Sequence, residues 1–280
     1  MKLIKKALAS LINTPIGSAL ANQTVVRASN FIWLSRYEAR EREELDTLAQ
    51  IANNLFSGQV VLHGLFKGMK YPSLTAYGSA LFPKLMGSYE RELEPLFRKI
   101  LKNQYTEILD IGCAEGYYAI GLALAIPSAK IYAYDVNPDA RDQCKQMADL
   151  NGVASRVEIR GEIDAAGLKT FPFTGRALIV SDCEGFEKNL FDVEVATALA
   201  KADVIIEAHD FMDLEITPYL ESVFASTHFL TLYQSIDDIQ KIRIYDYAEL
   251  EELSLNHRKN LLAEARPGIM NWLHFSPNPQ

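Results

Sequence analysis

The stretch ILDIGCAEGYY, residues 108–118, decides the fold. Its start is a run of apolar residues that reads as a strand, Gly112 to Gly116 form a turn, and Tyr117 opens helix-like sequence. Strand, glycine turn and helix in immediate succession make the first half of a βαβ unit. The turn matches neither of two phosphate-binding patterns. No Lys-Ser/Thr follows it, and Ala114 stands where G-x-G-x-x-G needs its second glycine. Its spacing is G-x-x-x-G, with Asp110 two residues before the first glycine and Glu115 inside the turn. Glycines let a backbone approach a ligand where a Cβ would collide. The acids would repel a phosphate and attract a cation.

Outward from this turn, strand-like and helical runs alternate. TEILDI, a helix through 117–126, KIYAYDV, a helix through 138–150, RVEIR, a short helix, RALIVSD, a further helix and DVIIEAH follow one another. Such alternation predicts right-handed βαβ units and a parallel sheet with helices on both faces. HFLTLYQS at 228–235 and MNWLHFSP at 270–277 are two more strands, separated by a charged helical stretch at 246–266. The last of them is expected as an antiparallel edge strand.

The second strand ends in YAYDVNP, which places Asp135 about twenty residues after the turn, where an acid bonds a ribose diol. Asn137 caps the next helix and Pro138 takes its first position. EILDIGCAEGYYAIGLA followed by IYAYDVNP resembles the cofactor signature of class I S-adenosylmethionine-dependent methyltransferases, over roughly residues 105–210. That cofactor carries a sulfonium and an amino group and no phosphate, which suits the acids of the turn. The resemblance implies a Rossmann-like α/β fold, a seven-stranded mostly parallel sheet with helices on both faces plus an N-terminal helical extension. It implies a cofactor site drawn from Asp110, Gly112, Cys113, Gly116, Tyr117, Asp135, Val136, Gly161, Glu162, Ile163 and Asp182. Read for structure alone, Gly121 serves close helix–strand packing, Cys113 and Cys144 are small buried residues, and Tyr117 and Tyr118 pack at the helix start.

A second set of acids ends the fourth and fifth strands: Asp182, Glu184 and Glu187 in SDCEGFE, then Glu207, His209 and Asp210 in IIEAHDF. Ligands of open parallel sheets bind beyond the C-terminal strand ends, so Asp182, Glu207 and His209 are the candidate catalytic residues. Two roles fit them. Asp182 or His209 takes a hydroxyl proton as a general base, or Asp182, Glu207 and His209 hold a divalent cation such as Mg²⁺ or Mn²⁺. Glu187 and Asp210 read equally as solvated or helix-capping acids. The D-x-E-G-x-E segment resembles the FkbM-like branch, which implies O-methylation of a hydroxyl on a sugar or small metabolite. The Asn/Asp-Pro-Pro-aromatic segment of amino-methylating enzymes is absent. The alternatives are an NAD-dependent oxidoreductase, which the missing G-x-G-x-x-G disfavours, and a non-catalytic cofactor-binding or assembly protein. His63, His228, His257 and His274 show no partner in the sequence, and Trp272 packs the last strand or walls the acceptor pocket.

The remaining sequence sets the frame. The chain has 280 residues, 49% hydrophobic and 23% charged, the balance of a globular protein. Its net charge of −8, with no basic cluster beyond KLIKK, gives no footprint for nucleic acid. Three scattered cysteines form no zinc or disulfide framework, so a cytoplasmic location is expected. No apolar run is long enough to span a bilayer. The N-terminus, MKLIKKALASLINTPIGSALANQ, reads as an amphipathic helix rather than a signal, because Asn13 and Pro15 interrupt it. Residues 35–57 read as a second amphipathic helix and 93–101 as a third with Pro95 in its first turn. The domain reading is 1–104, helical extension and connector, and 105–280, the cofactor-binding domain. The N-terminal helices are an expected route to a homo-oligomer. The glycine- and proline-rich connection at 65–88, with KGMKYP and PKLMGSYE, is expected to be irregular and to close over the site.

Overall fold

The apolar runs become one seven-stranded sheet: β1 Glu107–Ile111, β2 Lys130–Tyr134, β3 Val157–Arg160, β4 Ala177–Ser181, β5 Asp203–Ala208, β6 His228–Gln234 and β7 Asn271–Pro277. The computed structural model describes Thr14, Arg27, Phe31, Trp33, Leu34 and residues 42–279. Strand order is β3-β2-β1-β4-β5-β7-β6. β1 to β5 are parallel, and β7 runs antiparallel to both β5 and β6. The last strand is therefore antiparallel as expected but lies inside the sheet, and β6 is the edge. The reason is in the burial. Trp272 to Phe275 are buried without a break, whereas β6 alternates with exposed positions. A strand covered on both faces belongs inside a sheet.

Leu109, Ile111, Ile179, Val204 and Ile206 bury one face against Leu190, Val195, Leu220 and Phe224 of the helices Glu187–Leu190, Val193–Ala198 and Ile216–Phe224. Alternate residues Ile108, Leu178 and Ile205 are equally buried on the other face. Helices Tyr117–Ala125 and Pro138–Leu150 pack against β1, β2 and β3. The second of these starts where the sequence places it: the Asn137 side chain accepts the Asp139 N–H at 2.8 Å, and Pro138 needs no donor there.

The stretch at 246–266 is not one helix. It holds a 3₁₀ turn Ala248–Leu250 and a helix Leu255–Leu262 that Ser254 caps. Another helix, Asp238–Ile244, precedes it. The connection at 65–88 is more regular than its glycines suggest. Val60 pairs with Lys70 as an antiparallel bridge, and Leu81–Met86 is helical. Phe66 from this segment lies against Gly121, where a Cβ would come within 2.5 Å of the ring. Gly121 thus serves close packing as expected, against an aromatic ring of the connection rather than a strand.

Two compact units are present, Met1–Asn54 and Leu55–Gln280. Residues 55–104 fall in the same unit as the sheet. Residues 42–55 are helical; residues 35–41, and the expected helix at 1–23 apart from Thr14, lie outside the described residues. No helix among the described residues is long and apolar enough to cross a membrane.

Candidate functional site

A cavity of about 630 Å³ opens beyond the C-terminal ends of β1, β2, β4 and β5, reached by Gly112, Asp135, Asp182 and His209. Its volume lies in the range of small-molecule sites.

The glycine loop forms one wall through Gly112 and Ala114. Gly112 has φ +82°, and a Cβ there would lie 1.7 Å from the Asp182 carbonyl oxygen. The first glycine is thus demanded by the close approach of β1 and β4 as well as by its left-handed backbone. Gly116, Cys113, Asp110 and Tyr117 sit behind the loop and not on the cavity wall. Asp110 is buried, burial drives its carboxyl up to about 7, and its Oδ2 has no partner.

Glu115 corrects a sequence-based expectation. It does not face a ligand from the turn. It is buried in an ion pair with Lys84 at 2.5 Å and accepts the Tyr71 hydroxyl and the Tyr77 N–H at 3.3 Å each. The pair fastens the 65–88 connection to the glycine loop, while Tyr77 to Ser79 of that connection reach the cavity. The Tyr77 hydroxyl also meets the Asn137 amide.

Asp135 stands on the wall beside Val136, Gly161, Glu162 and Ile163. Its Oδ2 accepts the Ala114 N–H at 2.9 Å and its Oδ1 the Asn137 N–H at 2.8 Å. Two backbone donors fix this carboxylate and leave further lone pairs for a ligand.

At the other end β4 and β5, which are neighbours, deliver Asp182, Glu207 and His209. One ligand atom from each of the three lies within 4.8 Å of the others. His209 is held from behind. Its Nδ1 donates to Glu187 Oε1 at 2.5 Å, since a carboxylate only accepts. Its Nε2 then faces Asp182 Oδ1 and Glu184 Oε2, 3.4 Å from each. Glu187 is fully buried and also accepts the Gly185 N–H at 3.1 Å, so it is not a solvated acid. Asp210, by contrast, does serve the local backbone: it accepts the Thr217 N–H at 2.9 Å and hydroxyl at 2.7 Å.

Glu207 is ion-paired with Arg266, a residue the sequence reading did not single out. Arg266 also pairs with Glu90, and its Nε meets Glu264 Oε2 at 2.8 Å; Glu264 in turn meets buried Lys241 at 2.5 Å. No local spacing connects Glu90, Glu207 and Arg266, so sequence offered no signal for this cluster.

Carboxylates outnumber cations here, and the titrations reflect it. Burial, then the charges of Glu90 and Glu184, raise Asp182 to about 7 against the pull of Arg266. Burial, then Asp182 and Glu90, raise Glu207 well above the usual carboxylate range. Burial works to lower the His209 pKa, but the Glu187 hydrogen bond and nearby carboxylates outweigh it and raise the net value. The remaining described partners lie elsewhere: His63 meets Glu249 at 2.9 Å, His228 the Ala202 carbonyl at 3.1 Å and His274 Asp203 at 3.3 Å. Trp272 is fully buried against Tyr118 and does not wall the cavity.

Residues 102–215 match a family model described as a methyltransferase domain. A 50-residue stretch is 46% identical to the release factor glutamine methyltransferase of Chlorobaculum tepidum, covering 18% of this chain and 17% of that protein. The chain thus spans about a sixth of the length of that curated relative. Among solved structures, precorrin-6y C5,15-methyltransferase from Geobacter metallireducens aligns over 71% of this chain and 92% of its own, with 14% identity and a TM-score of 0.45. An O-methyltransferase from Bacillus cereus aligns over 67% and 80%, with 15% identity and a TM-score of 0.43.

Proposed function

We propose that this chain, which carries the class I S-adenosylmethionine-dependent methyltransferase-like Rossmann fold, moves a methyl group from S-adenosylmethionine to a hydroxyl oxygen of a sugar or other small metabolite. One observation carries the proposal. Asp135 and Gly161–Ile163 open on one end of the cavity, and Asp182 and His209 on the other.

The walls fit this cofactor. Arg266 is the one Arg or Lys among the described lining residues, and three carboxylates already engage it. A pyrophosphate would find no free cation there, which weighs against NAD. A sulfonium and an ammonium find acids instead. In this reading Asp135 takes the ribose diol, Gly161 to Ile163 flank the adenine, and the loop at Gly112 borders the amino-acid end. When bound, the cofactor supplies an electrophilic methyl group.

Transfer onto a hydroxyl releases a proton. His209 receives it at Nε2, the nitrogen that the Glu187 hydrogen bond leaves as an acceptor. Buried Glu187 then faces the imidazolium through Nδ1–H and stabilises it. Asp182, with Oδ1 buried and unpartnered, orients the acceptor hydroxyl. We also place the chain in the FkbM-like branch, because all three acids of its D-x-E-G-x-E segment surround the His209 ring. The division into a 1–104 extension and a 105–280 catalytic domain, and the closing role of the 65–88 connection, belong to the same reading.

The grouping of Asp182, Glu207 and His209 favours a second reading. These residues would hold a divalent cation that lowers the pKa of the acceptor hydroxyl. Glu187 stands where the outer carboxylate of a metal-bound histidine stands. We prefer the acid–base reading because Glu207 and Arg266 already neutralise one another.

Thermal shift with S-adenosylmethionine, S-adenosylhomocysteine and NAD tests the assignment. Ligand at about 100 times its Kd stabilises the folded state by about 2.7 kcal/mol. Stabilisation by both sulfur cofactors and not by NAD is expected; the reverse pattern would overturn the proposal.

A further inference from the structure

The cavity is acidic at its floor, and large apolar side chains stand at its mouth beside exposed Glu162 and Glu184. Phe186 and Phe211 lie on its wall yet are 46% and 52% exposed, and Met212 is 58% exposed. They belong to two separate turns, after β4 and after β5, that meet. The Met212 Sδ lies where a Cβ on Gly185 would come within 2.9 Å of it. The Phe211 ring stands 5.8 Å from the His209 ring. Glu184 at φ +52° and Gly185 at φ +91° carry the chain into Phe186. Glu184, its side chain 73% exposed, stands 3.4 Å from the His209 Nε2, and Lys188 pairs with Asp213 at 3.0 Å.

Large apolar side chains left in water around a pocket mouth mark a binding surface. A sugar crossing this rim would bring hydroxyls against two phenyl rings and a thioether, where they lose water and gain no partner. A hydrocarbon would gain.

We propose that the acceptor is an apolar alcohol: a hydroxyl carried on an alkyl or aryl body that rests on Phe186, Phe211 and Met212 while the oxygen reaches Asp182 and His209. This deepens the hydroxyl-methylation reading and rests on it. It replaces the sugar with a hydrophobic carrier.

The test uses the full chain saturated with S-adenosylhomocysteine, whose own binding is measured first by calorimetry. Straight-chain primary alcohols from butanol to decanol are then titrated against glucose. A methylene passing from water to an apolar surface is worth about 0.8 kcal/mol, so Kd should fall about two- to fourfold per added carbon. Phe211→Ser and Met212→Ser, at half-exposed positions, should keep S-adenosylhomocysteine binding and flatten that slope. Mass spectrometry should find the methyl ether of the tightest alcohol after incubation with S-adenosylmethionine. If S-adenosylhomocysteine binds but the alcohol series is flat, or glucose binds better, the apolar acceptor is overturned while the cofactor assignment stands. A slope unchanged in both variants overturns the placement on this rim. If sedimentation shows self-association that Phe211→Ser removes, together with a flat alcohol series, the patch joins protein copies and the proposal falls.

Discussion

Replacing Glu187 by Gln isolates what the buried carboxylate does for His209. Glutamine keeps the volume and still offers an oxygen to Nδ1–H, so geometry survives and only the charge is lost. The hydrogen bond is short, 2.5 Å, and Glu187 is fully buried. A hydrogen bond to a charged group contributes about 1.5–3 kcal/mol against about 1 for a neutral one. Losing the charge therefore withdraws about 0.5–2 kcal/mol from the imidazolium, or roughly one pKa unit at 1.36 kcal/mol per unit. The His209 pKa, raised in the native protein because these carboxylates outweigh burial, should fall by about that amount. Long-range ¹H–¹⁵N spectra of the five histidines give the titration directly, with His209→Asn supplying the assignment. The same spectra should show neutral His209 protonated on Nδ1. A pKa unmoved in Glu187→Gln, or a neutral ring protonated on Nε2, would refute the reasoning that Glu187 sets the base.

Asp135→Ala should weaken S-adenosylmethionine by roughly ten- to hundredfold in calorimetry, from loss of a charge-assisted bond worth about 1.5–3 kcal/mol; unchanged affinity in a folded variant removes the ribose role. Asp110 and Asp182 each titrate at about 7 in the folded protein, raised chiefly by burial, against about 4 unfolded. The native state then binds the extra protons, so their stabilisation is full below about pH 4 and lost as pH rises through 7. The ligand-free protein should melt lower at pH 8 than at pH 5, and the opposite slope would show these acids ionised at little cost. If the cation reading holds, exhaustive chelation should stop methyl transfer while cofactor binding persists, and Mg²⁺ or Mn²⁺ should restore it; full turnover without metal leaves the acid–base reading. Arg266→Met should destabilise by about 3–5 kcal/mol in urea unfolding, because it strands buried carboxylates, and adding Glu207→Gln should recover part of the loss. A loss under 1 kcal/mol would mean that the acids simply take up protons.

What was legible in the sequence is what neighbours in the chain decide. β1, β4 and β5 are buried at every position and read as near-continuous apolar runs. The helix Pro138–Leu150 announces itself through Asn137 and Pro138, a cap and a first-turn residue that act within two residues of each other. The cavity-wall position of Asp135 was legible because it follows a strand end at a fixed spacing from the glycine turn. The inner place of β7 has its signal in the sequence, since the run Trp272 to Phe275 is too apolar for an edge. Charge and periodicity persist across 246–266 and predict one helix, whereas Ser254 caps a new start within it.

Acids at the strand ends looked alike in sequence, and the fold sorts them by partner. Glu115 is matched by Lys84, 31 residues away, Glu207 by Arg266, 59 away, and Glu187 by His209, 22 away. No periodicity links such pairs; they exist because the connection, the β4 turn and the C-terminal loop converge on the sheet. Glu115 and Glu187 are drawn off the cavity wall, the one as a fastening to Lys84 and the other as a partner of His209, whereas Glu207 lines the wall as one arm of a clasp on Arg266. Asp182 keeps a buried oxygen without a hydrogen-bond partner, 3.4 Å from the Nε2 of His209. With Asp182 raised to about 7, its protonated form can donate to an acceptor hydroxyl that itself donates to the Nε2 of His209. On the proposed hydroxyl-methylation reading the reaction centre is Asp182 and His209, with Glu207 on the same wall.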